Sequence, residues 1–203
     1  MSSTKKPRLN QRQRTRTALV QAAMQAVERG ETPTVEAAAE AAHVSRATAY
    51  RYFASQQALL LETSVEAIGN AASVNLIDEG PVESRVDTAI YSLVRMSVEN
   101  EPYLRTFLMS SMEQWLNARK SGSGNLPTRQ GRRTTWLDKA LAPLHALSPR
   151  EKRRLRTVLS MLCGIEALVV AKDVCGCTAK EAEEASRWAA RAILRAALAD
   201  ARK

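Results

Sequence analysis

Aromatic side chains are scarce in this chain, at 4% of 203 residues, and glycine and proline supply only eight and seven positions. Extended segments rich in β-branched and aromatic residues are therefore hard to find, which argues against a sheet-based fold. Long apolar runs are missing as well: stretches such as Ala167 to Ala171 are far shorter than a bilayer-spanning helix requires. The polar, basic start lacks the apolar segment of a secretory signal. Cysteine is limited to three residues, an odd number with two of them at Cys175 and Cys177, so no disulfide framework is expected. These absences point to an all-α cytoplasmic protein with free thiols.

Acidic residues are absent from the first sixteen positions, where Lys5, Lys6, Arg8, Arg12, Arg14 and Arg16 carry six positive charges. The formal charge of the whole chain is +9. Polyanions are the natural partners of such a balance, although a basic run alone is as readily a solvated tail.

Helical signals follow in order. Residues 1–10 read as a disordered basic tail. Leu19, Ala22, Ala23, Ala26 and Val27 mark one face of a first helix that Gly30 can end. Thr34 can cap a short second helix through Ala42, and Ser45 a third running to about Tyr52. Ser55 can cap a fourth carrying Leu59, Leu60, Val65 and Ile68 before Gly80-Pro81. A fifth spans Val82 to Glu99, with Val86, Ile90, Leu93, Val94 and Ser97 inward, and a sixth starts near Pro102. A seventh is expected from Pro127 to about Ala142. The last two, at about 148–173 and 178–201, open on capping boxes, Ser148 with Glu151 and Thr178 with Glu181. The eighth presents Leu155, Val158, Leu159, Leu162, Ile165 and Val169. The ninth presents the small face Ala182, Ala185, Ala189, Ala192, Ile193 and Ala196.

The segment from Thr34 to Phe53 reads as a helix-turn-helix. Alanines 38, 39, 41 and 42 let two short helices pack closely, Val44 can plug the gap between them, and Ser45 starts the second helix with its first turn exposed. In such a motif the second helix enters the major groove by its N-terminal end, while flanking groups hold phosphates. Arg46, Thr48 and Arg51 suit those roles, and Ala47 suits contact with a thymine methyl. The hydroxyls of Tyr50 and Tyr52 suit phosphates, as does the amide end of the helix at Thr34.

Residues 39–59, Ala-Glu-Ala-Ala-His-Val-Ser-Arg-Ala-Thr-Ala-Tyr-Arg-Tyr-Phe-Ala-Ser-Gln-Gln-Ala-Leu, resemble the N-terminal motif of the TetR family, and the resemblance covers residues 15–62. It implies a three-helix head (11–56) that reads a pseudo-palindromic operator as a homodimer. It further implies a region of about six helices (57–203) that senses a small molecule and dimerises through the last two. Two positions depart from the pattern. His43 stands where glycine is common in the turn, and Gln56 where a lysine often contacts phosphate.

Other classes find less support. Cys163, Cys175 and Cys177 lack a fourth ligand of suitable spacing, so no metal is expected, and Ser121 to Asn125 lacks the strand and glycine spacing of a phosphate loop. No nucleophile with a base and no cofactor motif is present, so neither an enzyme nor a cofactor is expected. Glu166 is either a polar group in a ligand cavity or a carboxylate at the edge of its stripe. Tyr91, Met96, Phe107, Met112, Trp115 and Trp136 are core residues or ligand walls. A repressor released from DNA by an effector, a ligand-independent DNA binder and a helical interaction scaffold remain as alternatives.

Overall fold

The computed structural model describes the backbone of residues 5–71, 79–122 and 132–201, and side chains over 11–67, 79–122 and 133–201. Every regular element among them is helical, which makes the fold all-α. The chain divides into two compact units, Met1–Asn70 with Pro102–Pro127 and Ala71–Glu101 with Thr128–Lys203.

In the first unit, α1 (Lys5–Glu28), α2 (Val35–Ala41), α3 (Arg46–Tyr52) and α4 (Gln56–Ala71) enclose a small core. Leu19, Val20 and Ala23 of α1 meet Val35, Ala38 and Ala39 of α2, Ala49 of α3, Phe53 and Leu59. Burying each Leu or Val here stabilises the fold by about 1.5–3 kcal/mol. The unit also holds most of α6 (Glu101–Lys120), whose Tyr103 hydroxyl donates to Glu28 at 2.7 Å. Burial and this bond push the Tyr103 phenol up to about 12.

Helix α1 starts at Lys5, so residues 5–10 are helical where the composition suggested a disordered tail. Pro7 does not prevent this. It lies in the first turn, where backbone N–H groups have no intrahelical acceptor to lose.

The second unit is built on α5 (Val82–Glu99), against which α7 (Arg132–Leu141) and α10 (Ala179–Asp200) pack, with α8 (Pro149–Met161) on α7 and α10. Val86, Ile90, Leu93 and Val94 meet Leu137 and Leu141, Leu155 and Leu159, Cys163, Ala190 and Leu194 in its core. Ser97 is buried and donates to the Leu93 carbonyl at 2.8 Å. Both capping boxes form: Ser148 and Thr178 each accept from the backbone of a glutamate three residues on, which reaches back to the cap N–H.

Two expectations fail in this unit. The eighth helix is not continuous to residue 173: α8 ends at Met161, Gly164 takes φ 89°, and the chain restarts as α9 (Ile165–Val169) and a π-helical turn (Val170–Val174). On α10 the buried positions are Ala182, Ala190 and Leu194, whereas Ala185 and Ala196 are exposed. Alanine is so frequent in this helix that its spacing marks no unique face. The expected start of α7 at Pro127 lies outside the described residues.

Candidate nucleic-acid interface

The helix-turn-helix is fixed by local chemistry. Thr34 is extended, and its hydroxyl accepts the Ala37 N–H at 3.0 Å, which starts α2. Alanines at 38 and 39 bring α3 close, and Ala49 of α3 is fully buried between the helices. At the turn, His43 adopts φ 53°, the left-handed conformation otherwise favoured by glycine. The Val44 N–H bonds the Ala39 carbonyl at 2.9 Å, and its side chain packs on the core.

Ser45 then opens α3. Its hydroxyl accepts the Thr48 N–H at 3.2 Å and lies 2.9 Å from the Thr48 hydroxyl. One bond of this kind contributes about 1 kcal/mol and sets where the helix begins. With Ala49 inward, Arg46, Ala47, Tyr50 and Arg51 fall on the exposed side, and Thr48 is partly covered. Tyr52 is half-buried against the core. Helix α3 contains no acidic residue, so its outer face presents two guanidiniums and a tyrosine.

Two contacts between helices that the sequence does not signal lie in this head. Glu36, in the first turn of α2, accepts the hydroxyl proton of Tyr50 in a short hydrogen bond. That bond holds the Glu36 carboxyl below its ordinary value and the Tyr50 phenol above its own. The Tyr50 hydroxyl, expected to face a phosphate, is thus committed to a carboxylate fourteen residues away. Arg16 of α1 stacks its guanidinium over the Phe53 ring at 5.6 Å and pairs with Glu62 of α4. Neither contact has a sequence signature, because each joins positions on separate helices. Gln56, at the departure from the family pattern, is partly buried at the start of α4.

The other candidate side chains divide between the units. Phe107, Met112 and Trp115 lie in the first, with Met112 and Trp115 exposed. Tyr91, Met96, Trp136 and Glu166 lie in the second, where Met96 and Trp136 pack on the core and Tyr91 is exposed with the Arg187 guanidinium 5.3 Å over its ring. Glu166 pairs with Arg133 at 3.0 Å. A recess lined by Leu147, Leu155, Val158, Ile193 and their neighbours encloses about 200 Å³.

Cys163 is buried, and burial pushes its thiol up to about 11. Among the described residues, no three His, Cys, Asp or Glu side chains converge as a metal site, and no helix is long and apolar enough to cross a membrane.

Residues 18–63 match the family model of bacterial regulatory proteins of the tetR family. No curated protein and no solved structure matches the chain. The matched residues are those of the packed part of α1, the capped helix-turn-helix and the start of α4, so the chain carries the N-terminal helix-turn-helix that this family of DNA-binding transcriptional regulators shares.

Proposed function

We propose that the protein is a cytoplasmic homodimeric repressor released from its operator by a small-molecule effector. The observation that carries the DNA-binding part is the exposed, acid-free outer face of α3, led by the Ser45 cap. Arg46, Ala47, Thr48 and Arg51 read or flank base pairs in the major groove. Thr34, Ser45 and Tyr52 serve the phosphate strands, and Tyr50 joins them only when its hydroxyl leaves Glu36. In functional terms, residues 11–56 are the reading head and 57–203 the ligand-binding and dimerising part. Two copies pair through α8 and α10, whose exposed Met161 and Trp188 supply apolar surface. Their recognition helices then enter successive major grooves of a pseudo-palindrome.

An effector acts by favouring the conformation with the wrong spacing of recognition helices, and only to the extent that it binds that state better. Tyr91, Met96, Trp136 and Glu166 of the second unit, and separately Phe107, Met112 and Trp115 of the first, are the side chains we assign to effector contacts. The chain is assigned no catalytic role.

A ligand-independent regulator is the second reading. The division of those side chains between two units, with Tyr91, Met112 and Trp115 exposed, favours it.

Fluorescence anisotropy of the protein on duplexes from around its own gene, at two salt concentrations and against a scrambled competitor, tests the reading. Tight, salt-sensitive binding that survives the competitor supports a sequence-specific regulator. A random-sequence selection that enriches no palindrome overturns it. A compound screen on the bound complex separates the effector-controlled regulator from the ligand-independent one.

A further inference from the structure

The two cysteines of Cys175-Gly176-Cys177 stand where the chain leaves the π-helical turn and enters α10. Cys175 is exposed and Cys177 partly so. Two backbone bonds close this turn: the Cys175 N–H donates to the Val170 carbonyl at 3.1 Å and the Cys177 N–H to the Ala171 carbonyl at 2.9 Å. Any residue but proline supplies such N–H groups, so the turn makes no demand on the sulfur atoms. It nevertheless brings two thiols to one accessible corner of the second unit.

Backbone geometry sets their distance. Cys175 is in the right-handed helical region, at φ −92° and ψ −9°, and Gly176 has φ 69°. The chain therefore curls back between the two cysteines, as the bond from Cys177 to Ala171 requires. In helical curvature of either hand, Cα atoms two residues apart are separated by about 5.4 Å, given a radius of about 2.3 Å and a rise of about 1.5 Å. A disulfide spans Cα separations of roughly 4.4–6.8 Å. A Cβ at Gly176 would meet nothing within 4 Å, and glycine lacks even that atom, so rotation at this one residue can bring the sulfurs together.

The third thiol does not compete. Cys163 is buried, it donates to the Leu159 carbonyl at 3.4 Å, and burial pushes it up to about 11. Redox-responsive cysteines are solvent-accessible and often stand next to a resolving cysteine, which is the arrangement of Cys175 and Cys177. The π-helical turn that presents them is of a rare kind, found frequently at functional sites.

We infer that Cys175 and Cys177 form a reversible intramolecular disulfide when a peroxide reaches them. The exposed Cys175 thiolate attacks one peroxide oxygen: an S–O bond forms, the O–O bond breaks, and hydroxide leaves. The Cys177 thiolate then attacks the sulfur of the sulfenic acid: the S–S bond forms, the S–O bond breaks, and a second hydroxide leaves. The two hydroxides take up the protons that the thiols gave up. Two thiols are thus oxidised to one disulfide, and one hydrogen peroxide is reduced to two waters. A thiol reductant restores both cysteines by exchange.

Ring closure over so short a span has an effective concentration on the order of 1 mM, so at about 1 µM protein it outruns bonding between chains by roughly a thousandfold.

The test treats the full chain with hydrogen peroxide, then with iodoacetamide, and reads tryptic peptides by mass spectrometry. The peptide Asp173–Lys180 contains both cysteines and no other. It should appear unalkylated and lighter by two hydrogen atoms, and should become doubly alkylable again after dithiothreitol. Its yield should be the same at about 1 and about 50 µM protein, because the bond closes within one chain. Cys177→Ser keeps the N–H that closes the turn, loses this product, and should carry Cys175 on to the sulfinic acid. Cys163→Ser should leave the product unchanged. A wild-type peptide that stays doubly alkylated, or that only gains oxygen as Cys177→Ser does, overturns the inference. So does a bond formed between chains or one that includes Cys163.

Discussion

Arg133 occupies the space that a side chain at Gly164 would need: its Nη1 lies 2.7 Å from the position of a Cβ there. The same atom donates to the Ser160 and Cys163 carbonyls at 3.0 and 2.7 Å, and Nη2 donates to both carboxylate oxygens of Glu166 at 3.1 and 3.0 Å. A residue of α7 thereby closes the end of α8 and ties it to the start of α9.

Gly164→Ala should therefore destabilise the protein on two counts. At φ 89° and ψ 179° the backbone lies in a region held almost only by glycine, and forcing alanine into such a region costs about 1–3 kcal/mol. The added methyl group also displaces the Arg133 guanidinium from its carbonyls. Urea unfolding of the full chain should show a lower midpoint with the same slope. An unchanged midpoint would mean that the chain can turn at Leu162–Ile165 without left-handed geometry.

Arg133→Met isolates the second count. It keeps much of the side-chain volume and removes the donors, leaving two carbonyls at a helix end without them, at about 1–2 kcal/mol. For a domain of this size that is a fall in Tm of roughly 2–8 °C. Glu166→Gln should cost less than about 1 kcal/mol, because both members of the ion pair are partly exposed to solvent. Equal losses in the two variants would show that the ion pair, and not the carbonyl bonds, holds the junction.

This junction is also where sequence reading stopped. The apolar series Leu155, Leu159, Leu162, Ile165 and Val169 keeps helical spacing across the break, so periodicity alone joins α8 to α9. Gly164 was the sole local sign, and the partner that stabilises the break comes from thirty residues upstream. The helix-turn-helix was legible for the opposite reason. Thr34, Ser45 and the alanines that bury themselves at 38, 39 and 49 all act within one short segment, as do the boxes at Ser148 and Thr178. Glu36 against Tyr50 and Arg16 against Phe53 escaped notice because they are packing relations between helices.

The three thiols should differ in reactivity. Cys163 is buried and its thiol is raised to about 11, whereas Cys175 is exposed and Cys177 partly so. The thiolate is the nucleophile, so iodoacetamide at pH 8 should modify Cys175 and Cys177 in the native protein, and Cys163 only after denaturation. Mass spectrometry of the alkylated peptides reads this directly. A thiol whose ionisation is harder in the folded state contributes stability that is complete below its ordinary value of 9.0. That contribution is lost as pH rises toward 11, so unfolding midpoints should fall over that range. In Cys163→Ser the part of the decline due to this thiol should vanish.

Glu36 places a negative charge beside the face that we assign to DNA and occupies the hydroxyl of Tyr50. Replacing it by glutamine removes the charge and weakens the hold on Tyr50, which is then able to donate to a phosphate. Affinity for a duplex should rise, and more so at low salt than at high salt. Tyr50→Phe alone should not raise affinity, since it leaves the carboxylate in place with one partner fewer. The sign of the pH dependence follows from the same bond. Because Tyr50 holds the Glu36 carboxyl below its ordinary value of 4.5, the carboxylate's contribution to stability is present above that value and is lost as pH falls through the lowered one. Glu36 therefore stays charged throughout pH 5–8, and the ratio of Glu36→Gln to wild-type affinity should be constant across that range. A ratio that shrinks toward one between pH 7 and pH 5 would show Glu36 taking up its proton above its ordinary value of 4.5, and would rule out a Tyr50 bond that holds the carboxylate charged.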